Sequence, residues 1–139
     1  MAGDAVEAIR ESGFTKAVIV GGEESVPASV ESQLEGLVVT RLSGSDRYAT
    51  SVAVATFAAT NGLSWSPVFV ASGESFPDSL AGTPLVGSRG GVLLLTRDGN
   101  SAAADTVRTH SSAISCCYVL GGEASVSAAT FSALEEATS

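Results

Sequence analysis

The stretch from residue 68 to 82, VFVASGESFPDSLAG, most constrains the fold of this chain. Four apolar residues open it, a run too short for a helix and rich in β-branched and aromatic side chains. Such a run is typical of a strand that is buried on both faces of a parallel sheet. The next three residues, SGE, predict a turn, and Ser75, Pro77 and Asp78 have the pattern of a helix N-terminus. Ligands of open α/β sheets usually bind at this carboxyl end of the strands.

The same alternation of short apolar runs and helical patterns extends along the chain. It predicts further strands at 17–20, 37–39, 92–95 and 118–120, and helices at 2–12, 25–35, 46–60, 101–111 and from Ser125 or Ser127 to about 137. We expect the helix after residue 75 to pack Leu80, Ala81, Leu85 and Val86 against the sheet. The predicted fold class is α/β, with a mostly parallel sheet covered by helices on both faces.

An internal repeat is the second constraint. The tripeptide that starts at Gly21 recurs at Gly121, an offset of 121 − 21 = 100 residues. Without gaps, 17–36 and 117–136 share nine of twenty positions, namely Gly21, Gly22, Glu23, Ser25, Val26, Ala28, Ser32, Leu34 and Glu35. We therefore expect one module over residues 1–139, in which 1–40 corresponds to the end of a preceding repeat and 41–139 is one full repeat of about 100 residues. A tandem array in a longer parent protein is the implication.

The charge and hydrophobicity of the sequence limit the kinds of partner that it can bind. Seven basic residues face 15 acidic ones, for a formal net charge of −8, so nucleic acid is not an expected partner. A local basic pocket could still bind an anion. The sequence has no apolar run of transmembrane length, so membrane insertion is not expected, and no signal segment, which we expect to lie outside this fragment.

Little in the sequence indicates catalysis. Ser72 follows a predicted strand, but its surroundings lack the Gly-x-Ser-x-Gly pattern of a hydrolase nucleophile. His110 is expected on a helix surface, and Cys116 and Cys117 are interpreted as small core residues. No spacing of His, Cys, Asp or Glu predicts a metal site, and no cofactor is expected. We expect a protein that is not an enzyme.

Binding chemistry concentrates between Arg41 and Tyr48, where two guanidinium groups, an acid and a phenol surround a Ser-Gly-Ser turn. Arg41 and Arg47 could present planar forks to a phosphate or carboxylate. In the structural alternative, Asp46 caps the following helix and pairs with one arginine. Two other places also have both a structural and a functional interpretation. Asp78 is either a capping residue or, if buried, a general acid or base. The Gly21 turn and its copy are either tight turns or anion sites at a helix start.

Four segments resemble the type-2 cell-wall-binding repeats found in surface proteins of Gram-positive bacteria, commonly as three tandem copies. They are RLSGSDRYAT from Arg41, VASGESFPDSLA from Val70, VLLLT from Val92 and YVLGGEASVS from Tyr118. In the family's order they cover most of residues 17–137. This chain departs from the three-module pattern, because it contains about one and a half repeats.

The resemblance implies an α/β fold and a non-catalytic anchor that binds an anionic, teichoic-acid-like polymer of the cell wall. It also implies an extracellular location and packing against sister repeats or in a homo-oligomer, possibly a trimer. On that basis we predict Arg41 and Arg47 as ligand-binding residues with Ser43, Asp46, Ser72 and Asp78 around them. Two rival hypotheses remain: a module that only assembles with its sister repeats, and an enzyme that acts on a sugar or phosphate.

Overall fold

The computed structural model describes residues 2–139, apart from the side chains of residues 2–4 and 76. Within that range, helices and strands alternate in the predicted manner. The elements are α1 (Ala2–Glu11), β1 (Lys16–Val20), α2 (Ala28–Ser32), β2 (Val38–Leu42), α3 (Arg47–Thr60), β3 (Val68–Ser72), α4 (Phe76–Arg89), β4 (Val92–Thr96), α5 (Ala102–Thr109), a short 3-10 turn (Ser111–Ala113), β5 (Cys117–Leu120) and α6 (Ala128–Thr138).

The described strands form two parallel sheets. Strands β1 and β2 pair with each other, and β3 lies between β4 and β5 in a three-stranded sheet. In the larger sheet Val70 lies opposite both Leu94 and Val119. The predicted α/β class and parallel pairing are therefore confirmed, with the strands divided between two sheets.

The core of the molecule surrounds β3, whose five residues are all buried. Helices α3, α5 and α6 cover one face of the sheet. The buried residues there are Ala55, Val68, Val70, Val92, Leu94, Ala103, Val107, Leu134 and Ala137. Helix α4 covers the other face, where a Cβ added to Gly82 would clash with Leu120 of β5. This close approach explains a glycine in the middle of the helix.

The predicted packing face of α4 is partly wrong. Val86 is buried, but Leu80 is 73% exposed, Leu85 is 43% exposed, and Ala81 is exposed as well. Gly82 and Val86 are four residues apart and therefore lie on one side of the helix, which is the side that meets the sheet. Leu80, two residues before Gly82, points to about the opposite side.

Helix α2 and strand β2 also differ from their predicted bounds, and α2 ends at Ser32 rather than near residue 35. Helix α2 begins after Pro27 rather than at Ser25, because the Ser25 and Val26 N–H groups both donate to the carbonyl of Gly22 and form a turn. Strand β2 continues beyond the predicted 37–39 to Leu42. Arg41, expected beside a turn, is therefore a strand residue.

Candidate functional site

The start of α3 fixes one side of the candidate site. Asp46 is the N-cap residue, and its carboxylate accepts a hydrogen bond of 2.8 Å from the Ala49 N–H. Just before it, the Gly44 N–H donates to the Thr50 hydroxyl at 3.0 Å. Asp46 therefore has the capping contact that the structural alternative predicts, and this contact sets the position of Arg47.

Arg47 reaches the end of the central strand. Its Nη1 donates a 2.7 Å hydrogen bond to the carbonyl oxygen of Gly73, directly after β3. A Cβ on Gly73 would lie 2.6 Å from Cε1 of Tyr48, so glycine is needed there for the tyrosine and the arginine to approach the strand. Tyr48 itself is buried, whereas Arg47 is exposed.

A second guanidinium lies at the same edge of the sheet. Arg97 follows β4, and its Cζ is 5.2 Å from the centroid of the Tyr48 ring, within the range of a cation–π interaction. Arg47 and Arg97 thus both lie close to the carboxyl ends of β3 and β4, where Tyr48 is buried. Arg97 was not among the site residues predicted from the sequence. The available signal was its position immediately after a buried strand.

The acidic residue beside Arg97 faces elsewhere. Asp98 accepts hydrogen bonds from the hydroxyls of Ser127 and Thr130 at the start of α6. These two hydroxyls lower the pKa of the Asp98 carboxyl below its ordinary value. Asp98 therefore joins β4 to α6, and its charge is directed to a helix N-terminus, where an anion is favourable.

Ser72 lies at the end of β3, and Asp78, in helix α4, lies beside the end of the neighbouring strand β5. Ser72, the last residue of β3, is 2% exposed, and its hydroxyl accepts a hydrogen bond of 3.2 Å from the Glu74 N–H. Asp78 is half-buried in the first turn of α4. Its Oδ2 would lie 2.6 Å from a Cβ on Gly121, the residue after β5. The edge is therefore basic around β3 and β4, and acidic beside β5.

Arg41 lies apart from Arg47, in the two-stranded sheet. Its Nη1 donates to the carbonyls of Gly21 and Val26 at 2.8 and 2.9 Å, and its Nη2 is 3.0 Å from Oε2 of Glu31. Only 15% of the side chain is exposed. These contacts give Arg41 a structural role, but its acidic partner is Glu31 and not Asp46. Ser43 is exposed in the following loop.

A groove of about 1000 Å³ separates the Gly21 turn from α3, α4 and β4. Its lining includes Arg47 and the cap Asp46, together with small and apolar side chains such as Val54, Leu80 and Leu95. The groove therefore runs beside the first turn of α3, where Arg47 starts.

The other reactive side chains lie away from this edge. His110 stacks on Trp65 with ring centroids 3.9 Å apart, rather than standing free on a helix surface. Burial raises the pKa of the Cys117 thiol, with a smaller effect from Cys116, so the thiol form is favoured.

The described side chains include no group of three or more His, Cys, Asp or Glu residues that could hold a metal ion. None of the described helices has the length and apolar character needed to cross a membrane.

Comparison with known proteins agrees with this architecture. The family Cell wall binding domain 2 (CWB2) matches residues 41–131. The N-acetylmuramoyl-L-alanine amidase LytC of Bacillus subtilis (strain 168) is 33% identical over 119 residues, which are 86% of this chain and 23% of the amidase. Because the chain spans less than a quarter of that relative, the amidase activity is not transferred to it.

A solved structure shares the fold. Cwp6 from Clostridium difficile superimposes with a TM-score of 0.82 at 22% sequence identity, covering 94% of this chain and 21% of the Cwp6 chain. The family match extends over more than half of the sequence and includes β2 to α6. The chain therefore belongs to the Cell wall binding domain 2 family.

Proposed function

We propose that this cell-wall-binding domain attaches its parent protein to the wall by binding an anionic, teichoic-acid-like polymer, without catalysis. The observation that supports this is the pair of guanidinium groups at the carboxyl edge of the larger sheet. Arg47 contacts the Gly73 carbonyl after β3, and Arg97, after β4, lies over the ring of the buried Tyr48. Arginine presents several donors in one plane, which suits phosphate and carboxylate oxygens.

The charge of the rest of the molecule is consistent with a small binding spot. The chain has a formal net charge of −8, so most of its surface repels a polyanion. A polymer would then bind in one register, where the two arginines lie. Long-range attraction to any acidic surface is not expected.

We assign different parts to the six predicted site residues. Arg47 is the ligand contact, and Ser72 with the carboxylate of Asp78 limits the space around the anion. Asp46 positions Arg47, and the exposed Ser43 offers a hydroxyl beside the α3 turn. Arg41 is assigned to holding β2, because its guanidinium contacts three protein acceptors.

Co-sedimentation with purified Gram-positive wall sacculi tests the polymer class. The chain is mixed with sacculi before and after hydrofluoric acid removes phosphodiester-linked polymers. We expect the chain to pellet with intact sacculi and to stay in solution with stripped ones. Equal retention by both preparations would contradict a phosphodiester polymer and indicate peptidoglycan or another stable component as the ligand.

The contribution of Arg97 is tested in the same assay. Arg97→Ala should lower retention by about tenfold, the cost of losing one charged hydrogen-bonding group. Arg108→Ala is the matched control, since Arg108 lies on α5 in an exposed pair with Asp105 at 2.7 Å. Equal losses in the two variants would show that total charge, not this edge, determines retention.

The second candidate function is assembly with sister repeats or identical chains, in which a trimer is the expected size. The outer edge of β5 supports it, because β3 is the only partner strand of β5 within the described residues. Light scattering distinguishes the two functions. A stable oligomer that is not retained by sacculi would favour assembly, whereas a monomer that pellets with them would favour attachment.

A further inference from the structure

The outer edge of β5 is a copy of an edge that is occupied elsewhere in this chain. Strand β1 and strand β5 are equivalent under the 100-residue offset. On β1, the parallel strand β2 is paired in a register that puts Arg41 opposite Ile19. On β5, the described residues supply a neighbour on one side only, which is β3.

Backbone hydrogen bonds show the difference between the edge of β1, which is paired with β2, and the outer edge of β5. The Gly21 N–H donates to the Leu42 carbonyl at 2.9 Å, and the Val38 N–H donates to the Thr15 carbonyl at 2.9 Å. The equivalent Gly121 N–H has no backbone acceptor among the described residues. A row of strand donors and acceptors without a partner strand is a template for strand addition.

The turn after β5 already has the geometry that receives an arginine after β1. Gly21 and Gly121 have φ angles of 117° and 108°. In the first turn the Val26 N–H donates to the Gly22 carbonyl at 2.9 Å, and in its copy Val126 donates to Gly122 at 3.0 Å. In the first turn the Gly21 and Val26 carbonyls bind the guanidinium of Arg41.

One acidic group differs between the two places. Glu31, which pairs with Arg41, corresponds to Phe131 in the copy. The carboxylate of Asp78 lies beside Gly121 instead. A cation that arrives at the end of β5 would therefore still find a carboxylate close to the two turn carbonyls.

The family match indicates which segment fits. The matched unit begins at Arg41, inside β2, and ends at Phe131, inside α6. A β2-type strand is thus the first element of a repeat unit. In a tandem array, the segment that follows α6 would begin with such a strand, just as β2 follows α2 in this chain.

We propose that the outer edge of β5 accepts, in parallel, the β2-type strand of a sister repeat. Its arginine lies opposite Val119 and donates to the carbonyls of Gly121 and Val126. The completed sheet then has the order β4-β3-β5-β2 of the sister, and each sheet crosses a repeat boundary. This proposal is independent of the wall ligand and specifies which surface links neighbouring repeats.

Amide hydrogen exchange of an extended chain tests the proposal. Residues 36–43 are fused behind Ser139 through a flexible linker of about ten Gly and Ser residues, which keeps the added strand at a high effective concentration. A second fusion carries alanine at the position that copies Arg41. The unextended chain is the reference, and the Val70 amide reports whether the main sheet remains folded.

We expect exchange at Gly121 to slow by at least about tenfold in the arginine fusion, with little change at Gly21. The alanine fusion should lose most of that protection. Unchanged exchange at Gly121 in a folded arginine fusion would overturn strand addition. Equal protection in both fusions would overturn the proposed arginine contacts, since the strand would then add without help from the two turn carbonyls.

Discussion

The two copies of the strand–turn–helix unit, residues 17–36 and 117–136, have the same turn but different surroundings. The first lies over a small cluster in which the described side chains include three buried residues, Val6, Ile19 and Leu34. The second joins the main core, which has nine. Val20 of β1 is 53% exposed, whereas its equivalent Leu120 packs against Gly82 of α4. Shared sequence therefore determines the local geometry, while neighbouring elements determine how much of it is buried.

The helices that follow the two turns also differ, and for a local reason. Helix α6 has 11 residues, and the Ser127 hydroxyl accepts from the Thr130 N–H at its start. Helix α2 has five, and Pro27, which replaces the serine, offers no side-chain acceptor. Gly36, with φ of 93°, ends the segment where Glu136 continues the helix in the copy. Capping residues thus change helix length within one repeat.

The largest predicted effect is the loss of stability when a leucine is removed from the main core, compared with the same change in the smaller cluster. Leu94→Ala should destabilise the chain by about 3 kcal/mol, because Leu94 is fully buried and its removal leaves a cavity. Leu34→Ala should change global unfolding less and mainly increase amide exchange in β1 and β2. Urea denaturation with residue-resolved exchange measures both. Equal global effects would show that the two cores unfold as one.

The second prediction concerns the link between β1 and β2. Arg41→Ala removes two hydrogen bonds to carbonyls and an ion pair, and should destabilise the two-stranded sheet by about 2 kcal/mol. Exchange at Gly21 measures it. Arg108→Ala is the control, because an exposed pair contributes at most about 1 kcal/mol. If Arg41→Ala had no more effect at Gly21 than the control, the contacts of Arg41 would not stabilise the pairing of β1 with β2.

The third prediction compares two helix starts. Asp46→Ala should lower stability by about 1 kcal/mol, because Asp46 makes a side-chain capping bond to α3. Ser75→Ala should have a smaller effect, since the N-cap serine of α4 has no such bond. Thermal melting of both variants gives the comparison, and a larger loss in Ser75→Ala would contradict it.

The smallest predicted effect is pH-dependent and belongs to the second copy alone. The hydroxyls of Ser127 and then Thr130 lower the pKa of Asp98 in the folded chain. Because the folded pKa lies below the unfolded value, the stabilisation is present above the ordinary pKa of 3.8 and is lost as the pH falls through the folded pKa. The melting temperatures of the native chain and Asp98→Ala should therefore differ more at pH 6 than in strong acid. A constant difference would contradict this.

Local patterns predicted the elements well and the contacts less well. The Asp46 cap and the buried strand β3 are both evident from neighbouring residues. The roles of Arg41 and Arg97 were not, because each depends on a partner far along the chain. Arg41 bonds to Gly21, 20 residues earlier, and Arg97 lies over Tyr48. One sequence does not reveal which parallel strands are neighbours, and only that adjacency brings these groups together.

The most direct test of the account compares the two arginines that sequence analysis grouped together. Sacculus retention, circular dichroism and melting are measured for Arg47→Ala and Arg41→Ala. We predict that Arg47→Ala loses retention with an unchanged spectrum and only a small decrease in melting temperature, from the lost hydrogen bond to Gly73. Arg41→Ala should keep retention and loosen the β1–β2 sheet. Full retention by a folded Arg47→Ala, or loss of retention confined to Arg41→Ala, would contradict a ligand site at the carboxyl edge of the larger sheet.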